Sequence, residues 1–277
     1  MKLVVLADIH ANFVALQTVA THIKTWQPDT VIVAGDIVNR GPRSLECLRF
    51  VQEKQRTEGW HVVSGNHEDY VLMHDRPDAP RRGPRFEIHR HSYWTYQQLD
   101  GHVAALAALP FQQSLLAPDG SEVRVTHASM RSNRDGIYPL TTDQELRQKI
   151  RPYAPVLCVG HTHRPLIRRV DGTLVVNAGS VGLPFDGDRR AAYARLTWQG
   201  EAWQAQIVRV DYDLRAAERD FFETDFFEGS GPLGRVILNE LRTGESRLFY
   251  WTADHQERVL AGEQTMAEAV DDFLAKL

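Results

Sequence analysis

Side chains of the kind that bind hard or borderline metal ions stand in a string of short segments. They are Asp8 and His10 in D-I-H, Asp36 in G-D, Asn66 in G-N-H-E, His127 in T-H, and His161 and His163 in G-H-T-H. Two carboxylates, four imidazoles and an amide oxygen exceed what one ion takes from protein when it coordinates about four to six donors. They suit two divalent ions that share a bridging ligand and leave positions open for water and substrate. Neutral imidazole mixed with carboxylate favours manganese, iron, zinc or nickel over calcium. A single histidine after a strand is more often a satisfied polar residue than a ligand, but seven donors in this order reverse those odds.

The elements that must position them are short apolar runs. Leu3 to Ala7 stops at Asp8, Thr30 to Ala34 at Gly35-Asp36, Trp60 to Ser64 at Gly65-Asn66, Val123 to Thr126 at His127, and Val156 to Val159 at Gly160-His161. Such runs predict buried strands whose C-terminal ends converge on one cleft, the usual place for ligands in open α/β architectures. The glycines at 35, 65 and 160 fit tight turns with close backbone approach.

In their order, D-x-H, G-D, G-N-H-E, a lone His and G-H-x-H, these motifs resemble those of the calcineurin-like metallophosphoesterases, over roughly residues 1 to 185. The resemblance implies a four-layer α/β/β/α sandwich of two mixed β-sheets and a two-metal hydrolase of phosphate esters. It places Asp8, His10 and His163 on the first metal and Asn66, His127 and His161 on the second, with Asp36 bridging. A water acidified between two cations would replace a side-chain nucleophile.

The same resemblance makes His67 the group that acts on the leaving-group oxygen, and gives Arg40 the place of a phosphate-contacting arginine. A guanidinium can take two phosphate oxygens at once. Phosphoprotein phosphatases carry an Asp where G-D-I-V-N-R-G-P has Asn39. An amide can orient His67 without stabilising its imidazolium by charge, so a lower working pKa is expected. Asn177 and Ser180, in N-A-G-S, are candidates for fixing ligand orientation.

The expected activity is hydrolysis of small phosphomonoesters or phosphodiesters, nucleotides included. G-D-x-V-x-R-G and G-N-H-E also suggest a phosphoprotein or dinucleoside-polyphosphate phosphatase, against which Asn39 and the second histidine of G-H-T-H stand. A scaffold that has lost its chemistry would show a broken donor set, and here all seven donors and His67 are present.

Residues 76 to 91 are rich in proline and arginine and read as a loop or small cap near the cleft. Arg81, Arg82, Arg85 and Arg90 are candidates for attracting an anionic substrate, with a solvated loop as the equal alternative. His89 and His91 lie in the same segment, while His22 and His61 read as ordinary helix and strand residues.

A chain of 277 residues with 43% hydrophobic content can bury a large core. Net charge −4 and pI near 6.3 argue against general nucleic-acid or membrane-surface binding. No secretory h-region or membrane span is visible. Cys47 and Cys158 make no disulfide framework, so a reduced, cytoplasmic setting is expected.

Asn12 to Trp26, capped by Asn12, and Arg43 to Arg56 predict amphipathic helices, and Ser92 to Leu109 two short helices broken near Gly101. The start of the first helix is expected beside Asp8 and His10. Ala191 to Thr197 and Ala202 to Val210 predict a hairpin. The catalytic domain is read as residues 1–211, with 212–277 a helical extension packed on it. Within the extension Leu214 to Phe222 and Leu233 to Leu241 have helical spacing, Arg247 to Trp251 reads as a strand, and Thr265-x-x-Glu268 opens a last helix.

Overall fold

Successive residues of strand β1 (Lys2–Leu6) point to opposite faces, and both faces are apolar and buried. The computed structural model, which describes all 277 residues, shows what covers them. β1 pairs in parallel with β2 (Thr30–Val33), and β2 with the two-residue β3 (His61–Val62). A second sheet is built from β4 (Gln112–Leu116), β5 (Glu122–Thr126), β6 (Val156–Val159), β7 (Leu166–Val170) and β8 (Thr173–Asn177). β9 (Ala191–Gln199) and β10 (Ala202–Val210) form the expected hairpin and return to the first sheet, whose order is β10-β9-β1-β2-β3. The second sheet runs β4-β5-β6-β8-β7, with β5, β6 and β8 parallel and the edge strands antiparallel.

Leu3, Val5 and Ile32 face Val125, Cys158 and Val176 in a core between the sheets. Val4, Leu6 and Val33 point the other way, onto α1 (Phe13–Trp26) and α2 (Ser44–Glu58). After β3 come α3 (Asn66–Leu72), a 3₁₀ turn at Met73–Asp75, α4 (Pro84–Ile88), α5 (Arg90–Gln98) and α6 (Val103–Ala107). On the far side Leu157, Val159 and Val175 pack against Leu146 of α7 (Asp143–Lys149). The layers are therefore helix, sheet, sheet, helix, as the motifs imply. Cys47 and Cys158 are free, buried thiols. No helix is long and apolar enough to cross a membrane.

From residue 214 the chain is helical: α8 (Leu214–Glu223), α9 (Phe226–Ser230), α10 (Leu233–Thr243), α11 (Arg247–Leu260) and α12 (Met266–Leu274). These helices bury Phe226 edge-on against Trp94 of α5, ring centres 5.1 Å apart. Their second cluster gathers Leu233, Val236, Trp251 and Phe273 around Ile88 of α4. Thr265 caps α12 through the reciprocal bonds of a capping box with Glu268.

Arg247 to Trp251 is the first turn of α11 and not a strand. The aromatic run Leu-Phe-Tyr-Trp has strand-like composition, yet Trp251, His255 and Val259 recur every fourth residue and bury one helical face. The break between α5 and α6 falls at Gly101, whose φ is +72°.

Candidate metal centre

Five of the seven expected donors have left-handed backbone: Asp8, His10, Asp36, His161 and His163, with φ between 47° and 68°. L-residues seldom adopt this region, and such strain collects where surrounding structure fixes side chains for a task. Here the strand-end loops interlock. A Cβ on Gly65 would sit 2.1 Å from Asp36 Oδ1, and one on Gly160 would sit 2.6 Å from Asp8 Oδ2. Both turns therefore need glycine for close approach.

Three residues hold the loops. Glu68, fully buried, accepts from the backbone N–H groups of Asp36 (2.9 Å), Ile37 (2.8 Å) and Gly65 (2.8 Å), which joins the G-D loop to G-N-H-E. Burial and the nearby Asp36 charge push Glu68 up to about 7, against the pull of those N–H groups. Asn177 donates to Gly160 O (2.7 Å) and Thr162 Oγ1 (2.9 Å), and Ser180 Oγ donates to Asp8 O (2.6 Å). Sequence reasoning missed the part played by Glu68, although it closes the G-N-H-E motif.

Each carboxylate spends one oxygen on a loop and turns the other toward imidazoles. Asp8 Oδ2 accepts from His161 N (2.8 Å), whereas its buried Oδ1 has no hydrogen-bond partner and lies 3.3 Å from His163 Nε2. Asp36 Oδ1 accepts from His67 N (2.8 Å), and its Oδ2 lies between His10 Nε2 (3.6 Å) and His127 Nε2 (3.3 Å). His163 donates Nδ1–H to Leu183 O (2.5 Å), so its Nε2 lone pair faces His10 Nε2 at 3.1 Å. Asn66 Oδ1 meets His127 Nε2 (2.9 Å) and His161 Nδ1 (2.8 Å). Lone pairs so crowded, with the orphaned Asp8 Oδ1 among them, are what divalent cations satisfy. Three overlapping donor groups, each within 4.8 Å, share Asp8, His10 and Asp36.

Without a cation the site holds a proton. Burial opposes charge on His127, but the Asp36 carboxylate outweighs it and raises the imidazole to about 10. His161 is lowered to about 4, by burial and then by His127. A divalent ion held by His127 Nε2 would displace its proton. Loading is expected to release about one proton per chain near neutral pH and to tighten as pH rises. Calorimetry in buffers of different ionisation heat reads this directly; binding without proton release would show that His127 Nε2 is not engaged.

His67 also stands within 4.8 Å of His10 and Asp36 donors, but its lone pair is taken. Asn39 Oδ1 accepts from Arg40 N (2.9 Å), which fixes the amide, so Asn39 Nδ2 donates to His67 Nδ1 (3.0 Å). The ring is then neutral with its hydrogen on Nε2. Burial, partly opposed by Asp36 and assisted by Arg40, holds its pKa well below the ordinary histidine range.

Arg40 is buried, its guanidinium over the Phe185 ring and its Nη2 donating to Glu240 Oε2 at 2.5 Å. Its Nε is without a partner. Glu240 is fully buried, and its Oε1 accepts from Leu248 N (2.8 Å) at the start of α11. Glu240 was not foreseen, although it interrupts the apolar stripe Leu233, Val236, Ile237 and Leu241. Phe185 also stacks on His163, ring centres 4.2 Å apart.

Four of the donors, Asp36, Asn66, His161 and His163, floor a cleft of about 460 Å³ that Arg40, His67, His89 and His91 also line. None of Arg81, Arg82, Arg85 or Arg90 lines it. Arg81 lies over Tyr93 and donates to His74 O, and Arg90 donates to Gly229 O and Glu228 O. The segment 76–91 thus reaches the cleft through Ile88, His89 and His91. The start of α1 lies beside His10, with which Asn12 lines a small separate cavity, but it does not line this cleft: Asn12 donates to Gly182 O (3.0 Å) and caps Ala15 N.

Two sheets whose strand ends converge on a buried cluster of carboxylates and imidazoles define a phosphoesterase fold. Residues 1–201 match the model of the calcineurin-like phosphoesterase superfamily domain, and the chain belongs to that family. The fold is shared with a metallophosphoesterase from Sphaerobacter thermophilus at TM-score 0.68 and 26% identity, over 88% of this chain and 99% of that one. A hypothetical protein from Pyrococcus horikoshii has the same fold at TM-score 0.75 and 20% identity, over 88% of this chain and 99% of that one. In sequence the chain is similar to an uncharacterized protein of Methanocaldococcus jannaschii, 26% identical over 77% of this chain and 88% of the relative. It also resembles a symmetrical bis(5'-nucleosyl)-tetraphosphatase of Vibrio parahaemolyticus, 36% identical over 31% of this chain. That match spans about a third of the tetraphosphatase, 34% of its length.

Proposed function

We propose that the chain is a dinuclear metal-dependent phosphoesterase that hydrolyses small phosphate monoesters or diesters. The observation that carries this reading is Asp36 Oδ2, free of other hydrogen bonds and flanked by His10 on one side and His127 on the other. Asp8, His10 and His163 would hold one divalent ion, and Asn66, His127 and His161 the other. Such ions, manganese, iron, zinc or nickel, supply positive charge for phosphate oxygens and an acidified water.

The chain's own groups do the rest. Arg40 orients the phosphate through guanidinium N–H groups that Glu240 leaves free. His67 offers Nε2–H to the leaving-group oxygen as a neutral donor, its ring held by Asn39. Asn177, Ser180 and Glu68 keep the loops from relaxing when substrate charge arrives.

Dinucleoside polyphosphates are a second candidate substrate class, favoured by the partial likeness to a symmetrical bis(5'-nucleosyl)-tetraphosphatase. The test is turnover by metal-stripped protein reconstituted with manganese, on bis(p-nitrophenyl) phosphate, p-nitrophenyl phosphate and diadenosine tetraphosphate side by side. Preference for the first marks a diesterase, for the second a monoesterase, and for the third the polyphosphate reading. No turnover of any despite two bound ions per chain would sink the phosphoesterase reading.

A further inference from the structure

We infer that the outward face of α11 is a base-binding subsite, which takes the nucleobase of a nucleotide whose phosphate lies at the strand-end donors. The inference rests on the phosphoesterase reading of the cleft and adds the class of group beyond the phosphate. Trp251, His255 and Val259 point inward and are buried. Phe249, Thr252 and Gln256, spaced three and four residues apart, therefore share another face, and all three line the same cleft as Asp36, Asn66 and His161.

The chemistry of that face is specific. Phe249 is 65% exposed and Tyr250 50% exposed, so two large rings stand in water at the rim of a polar site. Their centres are 5.6 Å apart and their planes 80° apart, which presents a ring face beside a ring edge. Stacking on an aromatic face suits any nucleobase, while the Gln256 amide carries the donor and acceptor that pair with a purine edge. Thr252 adds a hydroxyl between them, and Tyr70 and Tyr138 reach the same cavity. A cavity of about 460 Å³ falls within the range of small-molecule sites and exceeds what an inorganic phosphate needs.

The subsite is also indexed to the phosphate end. Glu240 binds Arg40 with one oxygen and Leu248 N with the other, so one buried carboxylate fixes the first turn of α11 relative to the phosphate-orienting arginine. A base-free phosphate ester would leave the α11 face unused.

The experiment compares binding of AMP and ribose 5-phosphate to the full chain supplied with manganese, by calorimetry. AMP is expected to bind about tenfold or more tightly than ribose 5-phosphate, as one stacked base contributes. The ratio should fall to within about twofold of unity in the double variant Phe249→Ala/Tyr250→Ala, whose exposed side chains leave the fold intact. Gln256→Ala should lower the preference for AMP over UMP while stacking persists. Equal affinity of the two ligands in the parent, or a ratio unmoved in the double variant, overturns the inference. Turnover of bis(p-nitrophenyl) phosphate, p-nitrophenyl phosphate or diadenosine tetraphosphate separates the two readings. Hydrolysis without an AMP preference removes the subsite alone, and an AMP preference without hydrolysis keeps the subsite and removes the phosphoesterase.

Discussion

Asp36→Asn is expected to strip the cleft of both ions and to abolish turnover. Asp36 is 1% exposed, and its two oxygens have separate tasks. Oδ1 accepts from His67 N, and that fixed donor forces the amide of the variant to keep its oxygen there. The NH₂ group must then occupy the place of Oδ2, where it points hydrogens at His10 Nε2 and His127 Nε2 in place of a shared negative charge. The change is nearly isosteric, so the loop can keep its course while losing the one atom that faces both donor sets. Metal analysis after gel filtration should give about two ions per chain for the parent and nearly none for the variant. Turnover should fall by roughly 10³-fold or more, since both Lewis acids are lost together. A variant that retains a full complement of ions would show that Asp36 does not lie between them.

His67→Ala should give the contrasting result, full metal content with kcat lowered on the order of 10²- to 10⁴-fold. The loss should be smallest with p-nitrophenolate as leaving group and grow as the leaving alcohol becomes more basic. If both ions leave with the imidazole, His67 is a ligand and its assigned part is wrong. Its proton gives a sharper test. Burial holds His67 neutral, and Asn39 donates to its Nδ1, so Nδ1–H of an imidazolium would face an amide hydrogen. The donor Nε2–H is present throughout the neutral range, and kcat/KM should show no His67-dependent fall as pH rises there. Asn39→Asp places an acceptor and a charge at Nδ1, favours the imidazolium and raises the pKa. Activity in that variant should then decline with rising pH as the added proton is lost. A His67-dependent decline already present in the parent would mean that the ring works as a charged acid.

The parts of this architecture that were legible in the sequence share one property: the information lay within a few consecutive residues. β1, β2 and β6 are apolar runs ending in a donor, β5 is a short buried strand with valines on either side of Arg124 that also ends in one, and the hairpin of β9 and β10 turns at Gly200 and Glu201. Edge strands were less visible. β4 alternates exposed and half-buried residues, and β7 carries Arg168 and Arg169, so neither reads as an apolar run. Local composition misled at Arg247 to Trp251, where helical burial of Trp251 and Val259 prevails over the strand propensity of the aromatics. The donors came from motifs, but Glu240 meets Arg40 across 200 residues, a pairing that no local pattern contains. The four arginines of residues 81–90 show the reverse error, because charge in a segment does not say which way it points.

The bond from Glu240 to Arg40 bears on how such a chain can be rearranged by recombination. A cut at residue 211 would spare every metal-donor candidate and the whole of both sheets, and would look like a clean boundary between modules. It would also remove the carboxylate paired with Arg40, and a replacement segment that buried the guanidinium again without a counter-charge would be costly. Exchanging the last five helices with those of a relative therefore succeeds only when the incoming segment brings an acid to the same spot. Through that single carboxylate, the piece of chain outside the 1–201 family match must be inherited together with the arginine inside it.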